Sequence, residues 1–237
     1  MAADGAGTHL SVRVSLRARR LTLRMVPPHT LEVVVPRGTR PAKVQAFITE
    51  HRLWIERARR EIAACHRDAG DRLPTRVVLA ALGREWNIRY RQMRVRRPVC
   101  APIGAELEVR SADPEFSDAS RALRSWLLRE AKAELGPRLL RVAEAMDRVP
   151  KAVQVRLQRT RWGSCSSSGT ISLNAGLLFL EPRLVRYLLV HELSHLYSLS
   201  HSRRFWSIVE RFEPDYRTLD RRLTESWTLV PLWVHDA

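Results

Sequence analysis

His191-Glu192-Leu193-Ser194-His195, followed after five further residues by His201, is the stretch that decides how this chain is read. Two histidines four apart on a helix lie on one face, roughly 6 Å apart along the axis. From there both imidazoles reach a single metal ion, and Glu192 stands beside it to handle a proton. H-E-x-x-H on a helix is the zinc hydrolase signature. His201 supplies a third ligand, and three protein ligands with one open position are what a catalytic zinc site needs. The expectation is one Zn2+ per chain, with Glu192 as the base.

The flanking residues place this motif in a helix. Glu181-Pro182 opens the segment, with Pro182 suited to a first helical turn. Leu184, Val185, Leu188 and Leu189 recur at helical spacing, and Val190 and Leu193 widen the apolar face. Ser198-Leu199-Ser200 ends the helix and lets the chain turn back, so that His201 is aimed at the same point. Should His201 fail as a ligand, Glu210 or Glu213 on the following segment would substitute for it.

At 237 residues with 45% hydrophobic content, the chain is long enough to bury a substantial core. No run approaches the ~18 uninterrupted apolar residues of a membrane span. Arg13, Arg17, Arg19, Arg20 and Arg24 interrupt the N-terminal apolar residues, so no signal-peptide core forms there. The expected location is the cytoplasm, with no membrane partner. Cys65, Cys100 and Cys165 are scattered and odd in number, which suits neither a disulfide framework nor a C-x-x-C knuckle. Cys165 reads as a packed structural thiol, since the neighbouring histidines are already committed to metal.

The formal net charge of +16 raises contact with nucleic acid. Nearly all of the positive charge is arginine, with lysine only at positions 43, 132 and 151, and it is spread along the chain. No aromatic-interleaved basic block appears. Solvated surface is the favoured reading, and nucleic acid stays open as a partner.

Periodicity divides the rest. Residues 1–8 read as a disordered tail. Leu10, Val12, Val14 and Leu16 alternate as a strand, as do Leu21, Leu23 and Met25, and then Leu31, Val33 and Val35. A helix from Pro41 to about residue 66 follows. Val77 and Leu79 pair with Trp86, Ile88 and Tyr90 as a hairpin around Gly83, and Glu106 to Arg110 adds a strand. Asp113-Pro114 marks a boundary between a β-rich region with one helix, 9–112, and a second domain, 113–237. There a helix carrying Leu123, Trp126 and Leu127 is expected to end at Gly136-Pro137, with a second running from Leu139 to Met146. Val153, Val155 and Leu157 begin a strand continuing to Cys165, and Thr170 to Asn174 returns beside it. Helices near Phe205–Phe212 and Tyr216–Leu223 finish the fold, which is of the α+β class.

Three segments resemble the family of YgjP-like metallopeptidase domains, relatives of the gluzincins and of the SprT/Wss-type proteases. They are Arg161-Trp162-Gly163-Ser164-Cys165-Ser166 running into Ile171-Ser172-Leu173-Asn174; His191-Glu192-Leu193-Ser194-His195-Leu196 with His201-Ser202 and Phe205-Trp206; and Leu31-Glu32-Val33-Val34-Val35-Pro36-Arg37-Gly38 leading to Trp54-Ile55. The resemblance implies a β-rich N-terminal region followed by a small gluzincin-like zinc metallopeptidase domain. It also implies His191, His195 and His201 as zinc ligands, Glu192 as catalytic base, and a peptide or protein substrate. Where such proteins often carry glycine or asparagine before the third histidine, this chain has Ser200.

A second electrophile is usual in such sites. Tyr216 and Tyr197 are the candidates, with Tyr216 preferred because it lies beyond the ligand helix; packing against that helix is an equally open role for each. The strand Thr170 to Asn174 is expected to be an open edge for an extended peptide. Asn174 either holds the turn after it or touches substrate. Two other functions stay open: hydrolysis of a nucleotide phosphoanhydride by the same centre, and a nucleic-acid-binding module whose metal is structural or vestigial.

Overall fold

A computed structural model describes residues 9–16, 18–26, 30–65, 73–112 and 116–235. The chain forms two compact units, Met1–Gly70 and Asp71–Ala237.

The first unit holds strands β1 (His9–Ser15), β2 (Thr22–Val26) and β3 (Thr30–Pro36), then helices α1 (Pro41–Glu50) and α2 (Arg52–Cys65). β3 is central, parallel to β1 and antiparallel to β2. The alternating Leu31, Val33 and Val35 are buried, as period-2 patterning requires, and Ile55 of α2 is buried with them. The single helix expected from Pro41 to about residue 66 is two, because the backbone leaves helical geometry at His51. Arg13 pairs with Glu32 across the β1–β3 ladder at 3.0 Å. Arg17 lies outside the described residues.

The second unit begins with β4 (Arg76–Leu79), β5 (Arg84–Gln92), β6 (Val99–Ile103) and β7 (Glu106–Ser111), in the order β4-β5-β7-β6. Gly83 takes a left-handed φ of 60° at the β4–β5 connection, a geometry that glycine adopts without steric cost. β6 has no clear alternation in sequence, and its Pro102 is tolerated because β6 is an edge strand. The sheet's inner face packs on helix α3 (Phe116–Ala145), with Trp86 edge-on to Trp126 at 5.4 Å. Asp113-Pro114, expected as a domain boundary, lies outside the described residues; β4 to β7 before it and α3 after it share one core within the second unit.

α3 does not end at Gly136-Pro137. Ala131, Leu135, Leu139 and Val142 continue one buried stripe through that point. Pro137 and Ala133, whose carbonyl loses its helical donor, are both exposed, so water satisfies the lost bond.

A second sheet of β8 (Ala152–Arg156), β9 (Gly163–Cys165) and β10 (Thr170–Asn174) runs in the order β8-β10-β9. β10 lies parallel to β8 and antiparallel to β9. Two expectations change here. The strand begun at Val153 stops at Arg156, and the chain crosses to the other side of β10 before resuming as β9. β10 is consequently the central strand, with both of its edges occupied, and β8 and β9 are the edge strands of this sheet among the described residues.

Asn174 anchors that crossover and is buried. Its Nδ2 donates to the carbonyls of Gln158 (2.8 Å) and Arg161 (2.9 Å), and its Oδ1 accepts from the Gly176 amide at 3.0 Å. Helix α4 (Pro182–Ser194) follows with Leu184, Val185, Leu188, Leu189, Val190 and Leu193 all buried. Helices α5 (Arg203–Phe212) and α6 (Tyr216–Glu225) complete the unit. No helix among the described residues is long and apolar enough to cross a membrane.

Candidate metal centre

α4 delivers His191 and Glu192 at its C-terminal end, and His195 continues in right-handed geometry as the helix cap. The i, i+4 spacing puts the rings of His191 and His195 5.2 Å apart between centroids. His201 comes back over them, 5.1 Å from His191 and 4.8 Å from His195. Serines build the returning turn: Ser198 Oγ donates to the Ser200 carbonyl at 3.0 Å, and Ser202 caps α5 through the Phe205 amide at 3.4 Å. Ser200 has no positive φ, so this turn does without the left-handed residue that glycine or asparagine would provide.

The three imidazoles offer ligand atoms lying within 4.8 Å of one another. Nε2 of His201 is 3.1 Å from Nε2 of His191. Two ligands on a tetrahedral zinc at ordinary Zn–N lengths stand ~3.3 Å apart, so the spacing and the neutral nitrogen donor set fit such an ion. Nδ1 of His195 lies 3.2 Å from the Ser198 carbonyl, which accepts its N–H and leaves Nε2 as the free ligand atom. Burial lowers the His191 pKa to about 3, with repulsion from the other two imidazoles adding to the effect. His195 is also lowered, by burial first, against an opposing hydrogen bond to Ser198. Both rings are thus held neutral, the form that binds metal.

Glu192 is 4% exposed, and its Oε2 has no hydrogen-bond partner among the described residues. Burial pushes its pKa up to about 8, with Arg161 pulling the other way. A bound cation beside it would draw that value down toward neutrality. Such a carboxylate is poised for proton transfer near physiological pH. Its pocket wall is β9, where a Cβ on Gly163 would meet Glu192 Oε1 at 2.6 Å.

Aromatic rings close the base of the site. Phe205 is fully buried, with its ring 4.5 to 5.0 Å from all three imidazoles. Trp206 stacks on His201 at 5.6 Å, and Tyr216 stacks on Trp206 at 5.1 Å. Tyr216 is buried, and its hydroxyl accepts from Arg217 Nε at 3.1 Å. Tyr197 is turned elsewhere, donating to the Met146 carbonyl at the end of α3. Glu213 is buried against Arg186 at 2.7 Å, and neither it nor Glu210 joins the histidine cluster. Cys165 is a free, half-buried thiol, and burial together with the nearby Glu192 raises its pKa to about 11.

Sequence reasoning gave no site role to Gly163, Phe205 or Tyr187. The signal for Tyr187 was present, since it lies one helical turn before His191 on the same face.

An α+β domain with a three-histidine cluster able to hold a metal, and a buried carboxylate next to it, defines a metal-dependent enzyme class. The chain belongs to the family of YgjP-like metallopeptidase domains, which it matches over residues 19–226. No curated protein matches it. Among solved structures it is similar to the metallopeptidase zymogen abylysin of Pyrococcus abyssi, at 28% identity over 38% of this chain and 93% of that one. The TM-score between the two structures is 0.35.

Proposed function

We propose that this chain is a zinc-dependent peptidase, with one ion held by His191, His195 and His201 and with Glu192 as the general base. The observation that carries this reading is the buried Glu192 carboxylate beside three convergent imidazoles, since a purely structural site has no use for such a base. A zinc ion held by these three histidines would supply a water of lowered pKa and polarisation of a carbonyl. Glu192 takes the proton of the attacking water and returns it to the departing amide nitrogen. Tyr216 is the candidate second electrophile: its hydroxyl accepts from Arg217 and keeps its own proton for donation. Tyr216→Phe then lowers kcat with KM and metal content unchanged.

The edge of β9 favours a peptide. Asn174 N donates to Trp162 O at 2.8 Å and Ser166 N to Thr170 O at 2.9 Å. In an antiparallel ladder the directions alternate, so residues 162, 164 and 166 face β10. The N–H and C=O groups of Gly163 and Cys165 therefore face the open side, next to Glu192, where an extended peptide adds as a further strand.

The test is hydrolysis by zinc-loaded protein of casein and of nucleoside triphosphates, each with and without single-stranded DNA. Cleavage of casein alone, abolished in Glu192→Gln, is the expected result. Triphosphate hydrolysis in its place would make the centre a phosphoanhydride hydrolase. DNA binding with no hydrolysis would make it a binding module. DNA-stimulated proteolysis would give the arginine excess a working role.

A further inference from the structure

We infer that Tyr187 and Asp220 are positioning residues for His191, forming a hydroxyl–carboxylate pair that fixes which of its ring nitrogens faces the metal. Tyr187 sits one turn before His191 on α4 and is fully buried. Its hydroxyl donates to Asp220 Oδ1 on α6 at 2.7 Å. The same hydroxyl lies 3.5 Å from His191 Nδ1, at the long limit of a hydrogen bond.

A phenol has one hydrogen to donate, and here it is directed at Asp220 Oδ1. What the hydroxyl then shows His191 is a lone pair. A nitrogen facing a lone pair is stabilised when it carries hydrogen, so the neutral imidazole is held as the Nδ1–H tautomer. Its unprotonated nitrogen is then Nε2, the atom that stands 3.1 Å from His201 Nε2 within the cluster. Asp220 thus acts on His191 through Tyr187 and sets the polarity of the chain of bonds.

His195 reaches the same state by a different route, through the Ser198 carbonyl. Both ligands on the α4 segment are therefore fixed from behind, one by backbone and one by a side-chain pair. His201 approaches from a turn and meets the cluster through its Nε2. The Tyr187–Asp220 bond also ties α4 to α6 directly behind the site.

This inference rests on the zinc reading above, yet its decisive readout needs no metal. In zinc-free protein with 15N-labelled histidine, long-range 1H–15N spectra report the tautomer of each ring. His191 is expected as Nδ1–H in the parent and as a mixture in Tyr187→Phe, which keeps the ring and its packing. His195 serves as internal control and should not change. Competition with a chromogenic chelator for zinc alone should show the Kd rising about 10- to 100-fold in the same variant. Asp220→Asn, a change on a half-exposed position that spares the buried tyrosine, should move both readouts in the same direction. Parent-like tautomer and affinity within two-fold in Tyr187→Phe would overturn the inference, as would the same result in Asp220→Asn should the first variant not fold. A parent protein that binds no zinc sinks the peptidase reading instead, and the tautomer spectra still decide the role of Tyr187.

Discussion

A methyl group on Gly163 would stand 2.6 Å from Oε1 of Glu192, so β9 and the carboxylate share an approach that only glycine permits. The neighbouring Cγ and Cδ of Glu192 lie at 2.8 and 2.9 Å from the same point, and the whole end of the side chain is braced there. Gly163→Ala must therefore push the carboxylate aside. A displaced general base forfeits the roughly 10²- to 10⁴-fold that such a group contributes, so kcat on a peptide should fall by about that factor. Zinc content should stay at the parent level, because the three atoms nearest the added methyl all belong to Glu192. Atomic absorption together with steady-state kinetics checks the split, and equal loss of metal and rate would show that the glycine serves the ligands instead.

Glu192 also gives a pH-dependent prediction for the metal-free protein. Its folded pKa stands at about 8 against 4.5 for an ordinary glutamate, so the folded state holds this proton more tightly than the unfolded chain does. Stability tied to it is complete below pH 4.5 and declines as pH rises toward 8, by at most ~1.4 kcal/mol per pH unit. Glu192→Gln has no proton to lose. Urea unfolding of the two metal-free proteins should give a difference that grows in favour of the glutamine variant between pH 5 and 8 and levels off above. A constant difference across that range would mean the carboxylate is not desolvated.

Zinc stoichiometry tests the ligand set. The parent should hold close to one ion per chain, and His191→Ala, His195→Ala or His201→Ala should each weaken binding by orders of magnitude. His201 is the sharpest case, because it arrives from a turn, not from the helix that carries the other two. Glu213 would have to leave Arg186, 2.7 Å away, to replace it. Full zinc retention by His201→Ala at low free metal would remove it from the set.

The clustering at the candidate site was legible because ligand spacing on a helix follows the helical period. His191, His195 and Glu192 lie within one helical turn, where geometry follows from the period alone, and the apolar positions of α4 are buried as that period requires. The sheet beside it was harder to read. Nothing local in residues 152–174 says that the chain crosses over β10 between Arg156 and Gly163. That crossing is fixed by Asn174, whose partners Gln158 and Arg161 are 16 and 13 residues away. Such a tertiary bond leaves no periodic trace, so the central strand reads as an edge. Pro137 shows the converse error: a helix breaker by local rules, it is overridden by a buried stripe that continues on both sides of it.

Cys165 lies on the β9 edge, and the prediction there separates its thiol from its backbone. With its pKa raised to about 11, the thiol is protonated at neutral pH and is no nucleophile. Cys165→Ala should therefore leave kcat/KM for a peptide within about two-fold. Its N–H is a different matter, because the alternation of the β9–β10 ladder directs that group outward. Proline at an edge position, with its nitrogen facing out, leaves the ladder to β10 intact while removing the outward donor. Cys165→Pro should raise KM for a peptide several-fold with zinc content unchanged. N-methylation of one backbone amide of a peptide inhibitor should weaken binding at alternate positions only, since every second residue of an added strand faces β9. Uniform tolerance of N-methyl groups, together with a parent-like KM in Cys165→Pro, would remove β9 as the docking edge and leave the substrate to be held by side chains alone.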